Sequence, residues 1–396
     1  MSSSYSSSSM SSSHNSHQHQ QFRQLPSSST RGDAPIIIGY AHDAKSGKAE
    51  RAILDGINVI IWSFVHLDVD ATDQQHQQKI RGKIRTDLDL EIIRKISNKY
   101  IHVVHLAAFG GWNGPHTPPH ANLSGKEWCH VFLKFNQDHG NMFDGIDWDY
   151  EGHDDISSPT SRFTLDTLDI MVDFSVEAKR QGLIVSMAPA ESYLDSTIQS
   201  GSSIDAQFSF ALNLPPRAWT SSPYASEEDK EIIATTGFSH AGRQCYAYVL
   251  AKAGIETFDW ISIQLYEAYS PFAHDVHRRN MDPVEALMMR VRRLVVEGYT
   301  VTNVPLSFPY LSPSEFVVKI PMSKLVLGIA NGWADGRKFC KVAPSSIKSS
   351  YDAALEKYGH GYLGVMFWTI EEEGNTDEQR MTYLLNRELK ECETIK

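Results

Sequence analysis

The chain has 396 residues, 41% of them hydrophobic, and a formal net charge of −11. That length suits one large barrel or two ordinary domains. The acidic balance argues against nucleic acid or an anionic membrane as the main partner, and no apolar run approaches the ~20 residues of a membrane span.

Residues 1–34 are rich in Ser, Gln and His with almost no aliphatics. Such a stretch cannot bury enough surface to offset the entropy of ordering it, so a disordered tail is expected. It also lacks the apolar core of a secretory signal, which predicts a cytoplasmic or unconventionally secreted protein. His14, His17 and His19 within it could touch a metal, but the low complexity favours an incidental polar tail; no metal site and no cofactor are expected. The remainder, 35–396, reads as one catalytic domain.

Apolar runs then recur with helical segments between most of them. Pro35–Tyr40 and Ile57–Val65 read as strands buried on both faces. A helix with Leu88, Ile92, Ile93 and Ile96 on one stripe follows, Thr86 serving as its N-cap. Tyr100–Phe109 is a third strand, running into the glycine-rich loop Gly110–Gly114. Ser124 and Glu127 form a capping-box pattern ahead of a helix with Trp128, Val131, Phe132 and Phe135; Asn122-Leu-Ser124 also fits a glycosylation sequon, but the capping role is preferred. Phe143–Gly152 is the fourth strand. A helix from about Phe163 closes at Gly182, and Leu183–Ala190 is the fifth strand. About sixty residues of mixed signal come next, expected to be an insertion rimming one end of the domain. Phe258–Tyr266 is the sixth strand. Asp282, Pro283 and Glu285 open a helix that Gly298 ends. Lys324–Ala330 is the seventh strand, a helix lies near Ser346–Tyr358, Gly364–Ile370 is the eighth strand, and a last helix spans about Asp377–Leu389. Eight buried strands alternating with helices predict an α/β fold, a (β/α)8 TIM barrel with an insertion between the fifth and sixth strands. The cysteines Cys129, Cys245, Cys340 and Cys392 contain no C-x-x-C pair. They are expected to be free thiols, mostly buried, rather than zinc ligands or disulfides.

The fourth strand carries the chemistry. Asp147, Asp149 and Glu151 alternate with Ile146, Trp148 and Tyr150, so the acids share one face and the apolar groups the other. Each step of two residues covers about 6.6 Å. For an isolated strand of this pattern a solvated acidic face is the commoner account. As the fourth of eight barrel strands, however, the row points inward, where shielding from water makes at least one carboxyl hold its proton near neutral pH. A protonated acid beside ionised neighbours suits general-acid catalysis.

In this fold the active site lies at the C-terminal strand ends. Those ends offer Tyr40, Phe64, Gly110 with Gly111 and Trp112, the acid row, Met187, Gln264 with Tyr266, and Trp368. Aromatic rings that stack on apolar sugar faces, beside amides and acids that bond hydroxyls, suit a carbohydrate.

Asp144-Gly-Ile-Asp147-Trp-Asp149-Tyr-Glu151 matches in full the DxxDxDxE signature of glycoside hydrolase family 18, the chitinase family, which the chain resembles from about Pro35 to its C-terminus. Ala108-Phe-Gly110-Gly111 resembles that family's SxGG, Gln264-Leu-Tyr266 its sixth-strand motif, and Trp368 the tryptophan ending its eighth strand. Ala188-Pro189 and the absence of an appended module look more like its single-domain plant and fungal type. Two departures stand out. Ala108 replaces the usual Ser, whose hydroxyl supports the inner acid, and Glu267 stands where Asp or Asn is usual.

The resemblance implies substrate-assisted, retaining hydrolysis, the family being an exception to the ordinary two-carboxylate scheme. Glu151 would be the acid and later the base, Asp149 would hold the substrate's acetamido N–H, Asp147 would share a proton with Asp149, and Tyr266 would donate to the acetamido oxygen. Trp368 would floor the sugar, with Tyr40, Phe64, Gly111, Trp112, Met187, Gln264 and Glu267 lining the site. Asp144 would hold the strand end in place and is counted among the binding residues. The expected activity is that of a chitinase on β-1,4-linked N-acetylglucosamine polymers, acting as a monomer on chitin or its oligosaccharides. The alternatives are an endo-β-N-acetylglucosaminidase on N-glycan cores, or a non-catalytic sugar-binding relative, against which the presence of Glu151 speaks.

Overall fold

The computed structural model describes residues 22–23, 35–70, 81–118, 122–153, 163–194, 245–266, 270–277, 279–302, 315–334 and 339–390. Eight strands build the barrel: β1 (Ile36–Ala41), β2 (Val59–Val69), β3 (Val104–Gly111), β4 (Gly145–Tyr150), β5 (Ile184–Met187), β6 (Trp260–Gln264), β7 (Leu325–Ala330) and β8 (Gly364–Trp368). Each pairs in parallel with the next, and β8 pairs with β1 to close the ring. Closure leaves no free edge, so every strand is buried on both faces. That is why the sequence shows continuous apolar runs rather than alternation.

The alternation is present all the same, between two cores. Inward positions such as Ile38, Tyr40, Ile61, Leu106, Ala108, Ala188, Trp260 and Met366 pack inside the barrel. Outward positions such as Ile37, Trp62, Phe109, Trp148, Met187, Ile263 and Phe367 pack against the helices. Those helices are α1 (Lys48–Leu54), α2 (Leu90–Lys99), α3 (Gly125–Asp138), α4 (Leu165–Arg180), α5 (Cys245–Ala253), α6 (Pro271–His277), α7 (Pro283–Arg292), α8 (Pro344–Tyr358) and α9 (Met381–Lys390).

Local chemistry sets most helix ends. Ser124 and Glu127 cap α3 reciprocally, as expected. Asp282 accepts from the amides of Val284 and Glu285 at the start of α7, with Pro283 at its first turn. Thr86 does not cap α2. It ends an antiparallel arm, Gly82–Thr86, that pairs with the far half of β2, and its hydroxyl donates to the Phe64 carbonyl at 2.8 Å. Asp89 takes the cap, its carboxylate accepting from Ile92 N. A two-stranded ladder, Tyr299–Thr302 with Glu315–Val318, lies outside the barrel sheet.

Cys129 and Cys340 are buried free thiols and Cys245 is buried, while Cys392 lies outside the described residues. Most of the expected insertion and most of the expected disordered tail also lie outside them. Within that tail Phe22 and Arg23 are described, and Arg23 is held in place. Its guanidinium bonds Asp144, the Ser97 hydroxyl and carbonyl, and the Val103 carbonyl. Among the described residues no helix is long and apolar enough to cross a membrane.

Candidate active site

The inward parity of β4 puts Asp147 and Asp149 inside the barrel, both buried, with Glu151 half-buried one residue beyond the strand's end. From Asp147 to Glu151 the row climbs about 13 Å toward the mouth. Outward-facing Ile146, Trp148 and Tyr150 anchor the strand against the helices. Trp148 packs at 5.2 Å from Phe174 and donates its indole N–H to Ser175 Oγ at 2.8 Å.

Asp147 is wholly shielded from solvent, yet it accepts two hydroxyls, from Tyr40 of β1 and from Ser186 of β5. Ser186 was not anticipated. In the sheet register Asp147 lies between Ala108 on β3 and Ser186 on β5, so the hydroxyl missing on one side is supplied from the other. Burial pushes the Asp147 carboxyl up to about 6, against the lowering effect of the two hydroxyl donors. Burial and the neighbouring acids hold the Tyr40 phenol well above its ordinary value, so it stays a donor.

Asp149 accepts from Gln264 Nε2 at 2.8 Å, and the same amide nitrogen donates to the Ala188 carbonyl at 2.8 Å. Both amide hydrogens of Gln264 are thus engaged, one of them on Asp149, and the residue is buried. Tyr40, also expected among the binding residues, likewise serves the acid row.

Above the acids lies an aromatic wall. Trp368, half-buried at the end of β8, has its ring 5.8 Å from Phe64 at 20°, 5.4 Å from Tyr40, and 6.4 Å from His42 at 25°. Its carbonyl accepts the indole N–H of Trp333 at 2.6 Å, and Asn331 Nδ2 bonds the next carbonyl, that of Thr369. Tyr266 is 9% exposed at the mouth and meets Trp333 edge-on at 5.8 Å; Phe339 packs 4.9 Å from Trp333. Trp333, Phe339 and His42 were not foreseen, because they sit in loops past the strands rather than at strand ends.

Gly110 and Gly111 let the end of β3 lie against the row and the Phe64 ring. A Cβ on Gly110 would stand 2.3 Å from the Asp149 carbonyl oxygen, and one on Gly111 2.3 Å from the Phe64 ring. Both have positive φ, 121° and 85°. Trp112 is exposed at the rim.

Two expected binding residues are elsewhere. Met187 belongs to the outer core between barrel and helices, because its parity on β5 is opposite to that of Ser186 and Ala188. Asp144 precedes β4 at the opposite end of the barrel, three residues from Asp147 and so on the other parity. It accepts from His105 N at 2.9 Å and forms an ion pair with Arg23 at 3.2 Å. Burial raises its carboxyl, opposed by the amide donor and the arginine. Asp144 is thus bonded to β3 and to Arg23 at the base of the strand. Glu267 lies outside the described residues. Among those residues no group of three His, Cys, Asp or Glu side chains is arranged to hold a metal ion.

No protein-family model matches the chain, and neither does any curated protein. Solved structures do align with it. A family GH18 chitinase from Chromobacterium violaceum superposes over 90% of this chain and 82% of its own, at 15% identity and a TM-score of 0.52. A fungal endo-β-N-acetylglucosaminidase of glycosyl hydrolase family 18 covers 90% of this chain and 99% of its own, at 13% identity and a TM-score of 0.49. A GH18 chitinase from Pseudoalteromonas aurantia covers 89% and 100%, at 14% identity and a TM-score of 0.47. The fold of this chain is thus the (β/α)8 barrel also seen in the Chromobacterium chitinase.

Proposed function

We propose that the chain is a glycoside hydrolase cleaving β-1,4-linked N-acetylglucosamine polymers, with the substrate's own 2-acetamido group as nucleophile. The observation that carries this reading is the single row of Asp147, Asp149 and Glu151, its first two acids buried inside the barrel and its last at the end where Trp368 and Tyr266 close their strands. Ordinary retaining glycosidases need two carboxyls about 5 Å apart on either side of the scissile bond. Here the acids come from one strand and approach from one side. Within the row they supply a proton donor but no carboxyl opposed to it, and a nucleophile carried by the sugar completes the scheme.

Glu151, nearest the mouth, protonates the glycosidic oxygen as the bond to the anomeric carbon breaks. The acetamido oxygen bonds to that carbon, giving an oxazolinium-like intermediate. Asp149, oriented by Gln264, accepts the acetamido N–H and balances the positive charge. Asp147, pushed up to about 6, exchanges a proton with Asp149 near neutral pH. Tyr266 donates to the acetamido oxygen, and Trp368 carries the apolar face of the ring. Glu151, now a carboxylate, takes a proton from water as the water opens the intermediate. Two displacements at one carbon return the β configuration.

Glu151→Gln tests the reading. The amide keeps the shape but cannot transfer the proton. Hydrolysis of the N-acetylglucosamine pentamer should fall by at least about 10³-fold, while calorimetry still detects binding of the pentamer. A near-normal rate in this variant would overturn the assignment.

A further inference from the structure

Glu151 lies one residue past the last ladder pairing of β4, that of Tyr150 with Gly111. Its backbone and that of its two neighbours is instead held by three donors, one from α5 and two from the loop after β3. Tyr246 of α5 donates its hydroxyl to the Tyr150 carbonyl at 2.9 Å. His116, in the loop after β3, sets Nε2 2.8 Å from the Glu151 carbonyl. The amide of Asn113 donates to the Gly152 carbonyl at 3.1 Å. Three successive carbonyls around one acid are each bound.

His116 is itself tightly placed. It is 7% exposed, its ring stacks 4.9 Å from Tyr150 at 26°, and it lies 4.8 Å from Phe163. The neighbouring Thr117 hydroxyl lies 3.1 Å from the Tyr150 hydroxyl. A carbonyl only accepts, so Nε2 carries the hydrogen. The stacked ring and this bond together fix where the peptide of Glu151 sits.

We infer that His116, supported by Tyr246, is a positioning residue that sets the reach of Glu151 toward the leaving oxygen. This rests on the function proposed above. A general acid works only within about 2.6–3.2 Å of the atom it protonates. A shift of the Glu151 peptide moves the point from which its carboxyl reaches, and about 1 Å of misplacement costs on the order of 10²-fold in rate.

The test compares His116→Leu, His116→Gln and Tyr246→Phe with the unsubstituted chain and with Glu151→Gln. The Gln amide nitrogen can stand in for Nε2–H, whereas Leu cannot. Two probes are used, the N-acetylglucosamine pentamer and an aryl glycoside of the dimer, whose phenolate leaves with little acid help. His116→Leu should lower kcat/KM on the pentamer by about 10- to 100-fold and on the aryl glycoside by less than about threefold. His116→Gln should recover most of the loss, and Tyr246→Phe should show the same substrate pattern, more weakly. Equal losses on both probes, or no loss in either His116→Leu or Tyr246→Phe, would overturn the inference while leaving Glu151 in its role. If the unsubstituted chain is inactive on both probes, or Glu151→Gln retains a near-normal rate on the pentamer, the proposed function itself falls and the inference with it.

Discussion

Asp147 shows how one residue's environment sets its chemistry. Removing a carboxylate from water costs several kcal/mol, and two hydroxyl donors offset only part of that. The net result is a carboxyl that gives up its proton near pH 6 rather than near 4. The sign of the linkage follows. Between about pH 4 and 6 the folded protein holds a proton that the unfolded chain has released, so this group's stabilising effect is full below pH 4 and is lost as pH rises through about 6. Over that interval the effect amounts to about 3 kcal/mol. Asp147→Asn cannot ionise, so its Tm should fall less than that of the unsubstituted protein between pH 4 and pH 7, as thermal melts in matched buffers will show. Parallel curves for the two proteins would contradict the account. The acid row and its parity were legible in the sequence, since a period of two is visible without coordinates. The partners of Asp147 were not. Ala108 drew the eye to β3, and only the register revealed Ser186 on β5 as the compensating donor.

At the scale of elements, all eight barrel strands could be found from their apolar runs, because burial on both faces leaves an unmistakable composition. What failed was finer. The arm Gly82–Thr86 alternates Lys83 and Arg85 with Ile84 and offers too little apolar content to stand out. Reading strand ends as a rim, without tracking parity, misplaced Met187. Short helices such as Lys48–Leu54 and Pro271–His277 carry too few turns for a clear period. Compositional reasoning also missed Arg23, because a single arginine in a polar tail gives no signal until its partner is known. Asp144 is buried and paired with it, and the arginine is itself mostly covered. Removing one partner leaves a buried charge behind, at a cost of about 2–3 kcal/mol here after allowing for partial exposure. Arg23→Ala should therefore lower the Tm by about 3–6 °C. Arg23→Lys should recover little of it, since a point charge cannot reach Asp144, Ser97 and Val103 together. An unchanged Tm in Arg23→Ala would show that this segment does not fasten the barrel.

Over the whole molecule, β4 links two ends with different tasks. At its base Asp144 pairs with Arg23; at its mouth the peptide of Glu151 is bound by His116. Helices bury the outward aromatics and leave the inward parity free for polar groups, so the acids stand on a rigid strand rather than on a loop. The loop after β3 and α5 then hold the one acid that lies past the strand's end. The central claim is that the sugar's acetamido group does the displacement and Glu151 moves the proton. The configuration of the first product tests it most directly. Proton NMR of the N-acetylglucosamine pentamer during its first minutes of hydrolysis should show the β-anomer of the new reducing end in excess, before mutarotation. An initial excess of the α-anomer would mean direct attack by water and would contradict the account.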